Sequence, residues 1–365
     1  MVLAGDFKQH DGRLGFSNVG TNWGYLKDKG AITIVFRLNT NLNSLLQKSD
    51  FKNIAADFIQ SAEISIDVAK QNGVGIDGIQ LDYDCPTAKL QDFVRFVKII
   101  KEEWPLVQVS ITALPTWINN NAFQDLITCV DYYVLQLHSF EIPQGQNKKG
   151  YIFPALKAPG YFDSGLKLKK PFYISLPTYG YEVAYSKENK FLGLRAESGA
   201  EFIGEDIKRK LMFADPKEIA DFLRYVSKKC AENFKGVAWF RLPIDSDRYN
   251  WDIKTLKRVM MGELPQTYLT VDIVDAGAQV KEIYLLNVGE VNITREVSFD
   301  LNWVSDEKPI YDVLGDFAYS DIANGVHIKG KAPMVGNKML AAWFRGGDSK
   351  EFKISKSEVT IDEED

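Results

Sequence analysis

The sequence predicts an α/β fold, a (β/α)8 barrel of the TIM type followed by a small antiparallel β-sandwich. Apolar, β-branched segments alternate with amphipathic helical segments over about 260 residues, a length that suits a barrel better than an open doubly wound sheet. Near residue 264 the pattern changes to short strands without intervening helices. We therefore expect a barrel domain over residues 1–262 and a sandwich domain over residues 263–365.

The barrel elements are predicted from hydrophobic periodicity. Residues 31–38 (AITIVFRL) have the composition of a buried strand, whereas residues 51–72 carry Ile54, Phe58 and Val68 at helical spacing. The same criteria predict further strands at 2–7, 77–84, 106–114, 131–138, 171–177 and 236–242, and helices at 88–104, 122–129, 216–233 and 256–261. Because only seven strands are predicted, we expect the first barrel strand to precede Met1, or another segment to take its place.

The second domain is predicted from turn signals. Gly, Asn and Asp residues separate short apolar segments, a spacing typical of an antiparallel sandwich. Its predicted strands are 268–274, 283–287, 296–303, 310–314, 326–329, 339–344 and 351–354.

Composition excludes several functional classes. A net charge of −5 leaves no basic footprint for nucleic acid, and three cysteines fit neither a disulfide framework nor zinc spacing. No apolar run reaches the roughly 18–20 residues of a membrane helix, and the first residues lack the basic lead of a signal peptide. HExxH, P-loop, GxGxxG and GxSxG motifs are absent, so we expect no metal and no organic cofactor.

The stretch from Asp77 to Pro86 (DGIQLDYDCP) is the most informative part of the chain. Side chains alternate along a strand, so Gln80, Asp82 and Asp84 share the face opposite Ile79, Leu81 and Tyr83. Carboxylates at the carboxyl ends of strands in α/β folds are often functional, because active sites lie there. The structural alternative is that the two aspartates form salt bridges or cap the next helix.

Other polar or aromatic residues are predicted at the same end of the barrel. They are Arg37, Asn39, Thr112, Gln136, His138, Tyr179, Trp239 and Arg241. Such a polar basin lined by aromatic rings suits a sugar, whose rings pack on flat aromatic faces. His138 and Trp239 also fit core positions, and Arg37 and Arg241 also fit as structural partners of the two aspartates.

These motifs resemble known carbohydrate-active barrels. The segment DGIQLDYD (77–84) resembles the Asp-Gly-x-Asp-x-Asp-x-Glu signature of family 18 chitinase-like barrels, LPTYG (176–180) resembles their Pro-x-Tyr-Gly segment, and Trp239 resembles their floor tryptophan. The run GIQLDYDCPT, with SITALPTW and VLQLH, is closer still to the glycoside-hydrolase-like barrels called domain of unknown function 3142. The resemblance covers residues 1–262, and in that group VLAGDF would be the second strand.

The resemblance implies roles for several residues. Asp84 takes the position of the acid that protonates the glycosidic oxygen, and Asp82 the position of the aspartate that steers it. Tyr179 or His138 would hydrogen-bond the sugar, and Trp239 would form the floor. A nearby second carboxylate raises the pKa of the acid, because like charges resist ionising together.

Three departures from the chitinase pattern limit what carries over. Asp84 is one methylene shorter than glutamate, Gln80 replaces an aspartate, and Gln136-Leu-His138 replaces a strand that ends in tyrosine and aspartate. Substrate-assisted cleavage of N-acetylated sugars is therefore not implied. A second catalytic carboxylate would then come from a loop, with Glu182 and Asp245 as candidates.

The sequence thus leaves three functional hypotheses. The first is an extracytoplasmic glycoside hydrolase acting on a polysaccharide or glycan through Asp84 and Asp82. The second is a non-catalytic carbohydrate-binding barrel with an accessory sandwich. The third is metal-dependent glycosyl transfer, which requires a divalent ion at the two aspartates. A carbohydrate is the one partner that the sequence indicates.

Overall fold

The structure is a computed structural model of the whole chain. It describes residues 1–10, 13–30, 32–39, 46, 51–138, 150–196, 204, 206–229, 231–243, 247, 249–277, 279–304, 308–346 and 353–362. The chain divides into two units. The first comprises Met1–Ser139, Phe153–Pro177 and Tyr225–Phe240, and the second Phe140–Ile152, Thr178–Arg224 and Arg241–Asp365.

The secondary structure of the described residues is as follows. The strands are β1 (Val2–His10), β2 (Arg13–Asn18), β3 (Ile32–Leu38), β4 (Ile76–Asp82), β5 (Gln108–Ala113), β6 (Tyr132–Gln136), β7 (Phe172–Pro177), β8 (Gly180–Tyr185), β9 (Phe191–Arg195), β10 (Lys208–Phe213), β11 (Phe234–Phe240), β12 (Leu269–Gly277), β13 (Val280–Asn287), β14 (Glu296–Val304), β15 (Ile310–Val313), β16 (Ala318–Ile322), β17 (Gly325–Lys331), β18 (Lys338–Arg345), β19 (Lys353–Lys356) and β20 (Thr360–Ile361). The helices are α1 (Trp23–Leu26), α2 (Phe51–Gln71), α3 (Leu90–Glu103), α4 (Asn121–Thr128), α5 (Ala158–Lys167), α6 (Pro216–Ser227) and α7 (Ile253–Met260).

The first unit contains a sheet of eight strands in the order β11-β7-β6-β5-β4-β3-β1-β2. Neighbouring strands from β11 to β1 run parallel, and β2 pairs antiparallel with β1. The parallel strands follow one another in chain order, as the alternation of strands and helices predicts. In the described part of the chain, β11 and β2 form the two edges of this sheet. An antiparallel strand, β2, thus takes the place beside β1.

Aromatic packing fixes which face of the sheet is covered. In β3, Ile32, Ile34, Phe36 and Leu38 are buried. The ring of Phe58 on α2 packs against both strands. Its centroid lies 5.6 Å from that of Phe36 on β3 and 4.8 Å from that of Phe7 on β1. Since side chains alternate, this packing turns Arg37 to the opposite face.

The second unit is built from antiparallel sheets. Three strands pair in the order β10-β8-β9, four in the order β12-β13-β18-β15, and a third sheet runs β16-β17-β14-β19 with β20 beside β14. The last two sheets share one hydrophobic core, to which Ile283 and Phe344 contribute from one sheet and Phe299 and Leu301 from the other.

Candidate functional site

Strand β4 positions the two predicted carboxylates. Ile79, Leu81 and Tyr83 are completely buried, and the Tyr83 ring packs edge-on against Phe93 of α3 with 5.0 Å between centroids. This packing anchors the chain where β4 ends. Asp82 is the last residue of the strand and Asp84 follows two residues later, so the alternation predicted from the sequence turns both toward the other face.

A cavity of about 300 Å³ opens at the carboxyl ends of β1, β3 and β4. Among the described residues, its lining consists of Asp6, Lys8, Arg37, Leu38, Asn39, Asp82 and Asp84. The structure therefore brings four of the predicted residues, Arg37, Asn39, Asp82 and Asp84, around one space. It adds Asp6 and Lys8, which the sequence analysis missed.

Three of the lining residues form a charged row across neighbouring strands. In the strand register Asp6 pairs with Arg37, and Arg37 pairs with Asp82. Arg37 donates from Nε to Asp6 Oδ1 at 2.6 Å and from Nη2 to Asp6 Oδ2 at 3.1 Å, a two-point contact that fixes both side chains. The positive charge of Arg37 also attracts Asp82.

A hydrogen-bond relay supports Asp82 from the neighbouring strand. Gln80 donates from Nε2 to the Thr112 hydroxyl at 3.0 Å, and that hydroxyl donates to Asp82. A hydroxyl that accepts from an amide keeps its own proton for the carboxylate, so the relay holds Asp82 as an acceptor. Gln80 is only 5% exposed, and its Oε1 has no hydrogen-bond partner among the described residues.

The environments of the three aspartates push their pKa values apart. Asp84 keeps access to solvent, but burial in the cavity wall, and secondly the charge of Asp82, raise its pKa to about 6. Burial also raises the pKa of Asp82, against the Thr112 hydrogen bond and the charge of Arg37. The hydrogen bond from Arg37 lowers the pKa of Asp6. In mildly acidic solution Asp84 thus carries a proton while Asp6 is ionised.

Other predicted residues of the first unit do not line this cavity. Gln136 ends β6 half-buried, and Trp239 is half-buried on β11. His138 stacks on Phe240 with 5.0 Å between ring centroids and an interplanar angle of 3°. Burial lowers the pKa of His138 to about 4, so the imidazole is neutral at physiological pH.

Three predicted residues belong to the second unit. Tyr179 is 7% exposed, and its ring centroid lies 5.3 Å from that of Tyr181. Glu182 accepts from Arg195 at 2.8 Å and from the Tyr249 hydroxyl at 3.4 Å. Arg241 pairs with the buried carboxylate of Asp247 rather than standing as an isolated cation. Asp245, the other loop carboxylate, lies outside the described residues.

A signal for the two missed residues was present in the sequence. Asp6 and Lys8 lie on either side of Phe7 at the end of a short strand, as Arg37 and Asn39 lie on either side of Leu38 on the next. The sequence alone does not show that β1 pairs directly with β3, the pairing that puts Asp6 opposite Arg37.

The described residues contain neither a metal-binding cluster of His, Cys, Asp or Glu side chains nor a membrane-spanning helix. No three His, Cys, Asp or Glu side chains in these parts of the chain lie close enough together to hold a metal ion. None of the described helices combines the length and the apolar character needed to cross a lipid bilayer.

Several solved structures resemble this one weakly. The spore cortex-lytic enzyme SleL of Bacillus cereus is 13% identical over 72% of this chain and 66% of its own, with a TM-score of 0.48. A chitinase from Chromobacterium violaceum is 12% identical over 72% of this chain and 98% of its own, with a TM-score of 0.45. The family 18 chitinase ChiB of Flavobacterium johnsoniae is 14% identical over 71% of this chain and 84% of its own, with a TM-score of 0.42.

This chain therefore spans about two thirds of the SleL chain. Likenesses with such low identities and TM-scores carry no information about its activity. No curated protein sequence matches the chain. The model of one family does match, over residues 30–245, which include β3, the DGIQLDYD segment and β11. The chain belongs to this family, the domain of unknown function DUF3142.

Proposed function

We propose that this protein is a glycoside hydrolase that cleaves a polysaccharide or glycan, with Asp84 as the general acid and Asp82 as its helper. One observation carries the proposal: both carboxyl groups border the same solvent-accessible cavity at the carboxyl end of a parallel sheet. Active sites of α/β barrels lie at that end. The resemblance of residues 77–84 to the chitinase signature supports the same assignment.

The charge states suit acid catalysis. An acid is most useful when its pKa lies near the working pH, because it then holds a proton and still gives it up readily. Burial and the charge of Asp82 place the pKa of Asp84 at about 6. Asp82, held as an acceptor by Thr112, contributes negative charge beside the positive charge that develops on the sugar ring.

The remaining predicted residues complete the proposal. Parallel strands end at the same edge of their sheet, so Gln136, His138 and Trp239 are proposed to bind sugar units beyond the cavity. Tyr179, Glu182 and Arg241 are proposed as substrate-binding residues of the second unit. We further propose a TIM-type barrel and an accessory sandwich as the architecture, and an extracytoplasmic location, where polysaccharide substrates are found.

A second candidate function is a carbohydrate-binding barrel without catalysis. A specific observation favours it: the position of the inner chitinase aspartate holds Gln80, whose amide is committed to Thr112. Asp84 is also one methylene shorter than the glutamate of the signature. Such a site would retain a ligand-sized cavity without an efficient proton donor.

Hydrolysis and binding are separable by experiment. The full chain is incubated with a panel of soluble polysaccharides and oligosaccharides, and released reducing ends and heats of binding are measured. The proposal expects reducing ends from the wild type and at least a 100-fold lower kcat in Asp84→Asn. Asp77→Asn, at the opposite end of β4, is the matched control and should retain activity. Binding without release on every glycan would establish the second function instead.

A further inference from the structure

The proposed acid requires a partner. Two-carboxylate hydrolysis needs a second group that acts on the other side of the sugar, either as a nucleophile or as a base for water. The sequence pointed to a loop for this group, yet its candidate Glu182 is not among the described residues that line the cavity of Asp84. Asp6, by contrast, lines the same cavity as Asp84.

The position of Asp6 fits a base. Asp6 and Asp82 flank Arg37 in one register row, so their Cα atoms lie two strand spacings apart, roughly 10 Å. Asp84 lies two residues further along the chain. A backbone separation of at least two strand spacings between Asp6 and Asp84 favours the wider carboxyl separation, about 6.5–9.5 Å, that leaves room for a water molecule.

The state of Asp6 also fits a base. Its side chain is 18% exposed, so water can reach it, and Arg37 holds it in place through two hydrogen bonds. A carboxylate offers about four lone-pair sites, and the arginine uses two of them. Arg37 also lowers the pKa of Asp6 while that of Asp84 is raised, and pairs pushed apart in this way identify a base and an acid.

We propose that Asp6 is the general base of this site, activating a water molecule that displaces the leaving sugar with inversion of configuration. The inference rests on the proposed function, because it names the second carboxylate of the same reaction. It also makes Arg37 a positioning residue, which holds Asp6 ionised and correctly oriented.

The step balances without any co-reactant. Asp6 takes one proton from water, the water oxygen forms a bond to the anomeric carbon, and the bond from that carbon to the glycosidic oxygen breaks. Asp84 gives its proton to the leaving oxygen. Asp6 ends protonated and Asp84 ionised, and exchange with solvent restores both.

The test uses the full chain and 4-nitrophenyl glycosides, together with any polysaccharide from which the wild type releases reducing ends. We expect Asp6→Asn to lower kcat at least 100-fold with little change in KM, and to remove the acidic limb of the pH profile. The basic limb, which belongs to Asp84, should remain near pH 6. Asp77→Asn again serves as the control.

Rescue by azide distinguishes a role of Asp6 as general base from a purely structural role as the partner of Arg37. In Asp6→Ala the vacated space admits azide, which needs no base and attacks the anomeric carbon directly. We expect azide to restore turnover and to yield a glycosyl azide of inverted configuration, identified by NMR. If Asp6 only anchors Arg37, then Asp6→Ala and Arg37→Gln lose the same activity and azide restores neither, which overturns the proposal.

The outcomes separate this inference from the proposed function. If the wild type and Asp6→Asn are active and Asp84→Asn is inactive, Asp6 is not the general base, but the proposed hydrolase function stands. If the wild type is inactive on every probe, both the proposed hydrolase function and the role of Asp6 as its base are refuted. Retention of configuration, measured by NMR of the first product, removes the base and its water. A carboxyl ¹³C titration in which Asp6 ionises above the ordinary aspartate range contradicts the inference without any substrate.

Discussion

At the residue scale, three aspartates of the same cavity differ in pKa because their neighbours differ. Asp6 is fixed by a guanidinium, Asp82 by a hydroxyl and Asp84 by neither of these groups. The differences arise from which strand end each residue occupies. Two predictions concern single residues, the first Asp84 and the second His138.

The first concerns stability and pH. An aspartate has a pKa of about 3.9 in an unfolded chain, and Asp84 has one of about 6 in the folded protein. The folded state therefore favours the protonated form, and the stability this provides is present below about pH 4 and lost as pH rises through 6. Asn cannot ionise, so Asp84→Asn should gain stability relative to wild type between pH 4 and 7.

Urea unfolding at a series of pH values measures this difference, and Asp77→Asn is the control. Solvent access to Asp84 screens part of the effect, so its direction is the decisive observation. A stability difference between Asp84→Asn and wild type that does not change with pH would contradict the raised pKa.

The second prediction concerns His138. Its pKa of about 4 means that the ring stays neutral in the folded protein where a free histidine becomes charged near 6.5. The stability that follows is present above pH 6.5 and lost as pH falls toward 4. NMR of the ring protons should show no titration of His138 between pH 8 and 5.5. A midpoint near 6.5 would show that the ring is solvated and would contradict the lowered pKa.

Alternation along β4 was enough to predict that Asp82 and Asp84 share a face. It could not predict Asp6, since that assignment needs the neighbour relation of β1 and β3. Nor could it predict partners: Arg37 binds Asp6, and Arg241 binds Asp247. Side-chain pairing between distant segments depends on register, which a single sequence does not state.

At the element scale, β4 depends on a close approach to β5. A Cβ atom built on Gly78 would lie 2.5 Å from the carbonyl oxygen of Gln108 and 2.8 Å from its Cβ. These two residues are opposite each other in the sheet, so neither strand can yield without shifting the other. A methyl group at residue 78 would therefore push apart the two strands that carry Asp82 and Thr112.

We predict that Gly78→Ala destabilises the protein by about 1–3 kcal/mol, the usual cost of overpacking, and lowers any hydrolytic activity. Gly75→Ala is the matched control, because nothing lies within 4 Å of a Cβ built there. Thermal unfolding of both variants checks this. Equal melting temperatures for Gly78→Ala and wild type would show that the two strands can separate without cost.

Elements with strong periodicity were predicted well, and those with weak local signals were missed. The helix predicted at 51–72 is α2, Phe51–Gln71. Helix α5 was missed because Pro159, Gly160 and Gly165 are poor helix formers. No strand was predicted at β9 or β10, since exposed residues predominate in both and neither shows a buried alternation.

At the scale of the whole molecule, chain order alone gave the sequence of parallel strands but not the state of the sheet edges. Strand β2 was not predicted, and its antiparallel pairing beside β1 decides how the sheet ends. The second unit takes in residues 178–224 as well as the C-terminal region. Boundaries of this kind depend on contacts between segments far apart in the chain.

The shared core of the two C-terminal sheets gives a fourth prediction. Phe299 is 2% exposed within that core. Phe299→Ala should cost about 3–5 kcal/mol, because it removes a buried ring and leaves a cavity. Ile310→Ala, at a position 67% exposed, should change stability little. Denaturant unfolding of both variants tests this, and similar losses would contradict a core at Phe299.

The row of alternating charges on β1, β3 and β4 has a consequence for strand assembly. A slip of β3 by one residue would swap the faces of its side chains and drive the guanidinium of Arg37 among the rings of Phe7 and Phe58. Asp6 and Asp82 would then face each other without a cation between them. A shifted register would therefore cost free energy twice, through the buried guanidinium and through the repulsion between the two carboxylates. The charged groups of the proposed site thus also favour the correct register of the sheet.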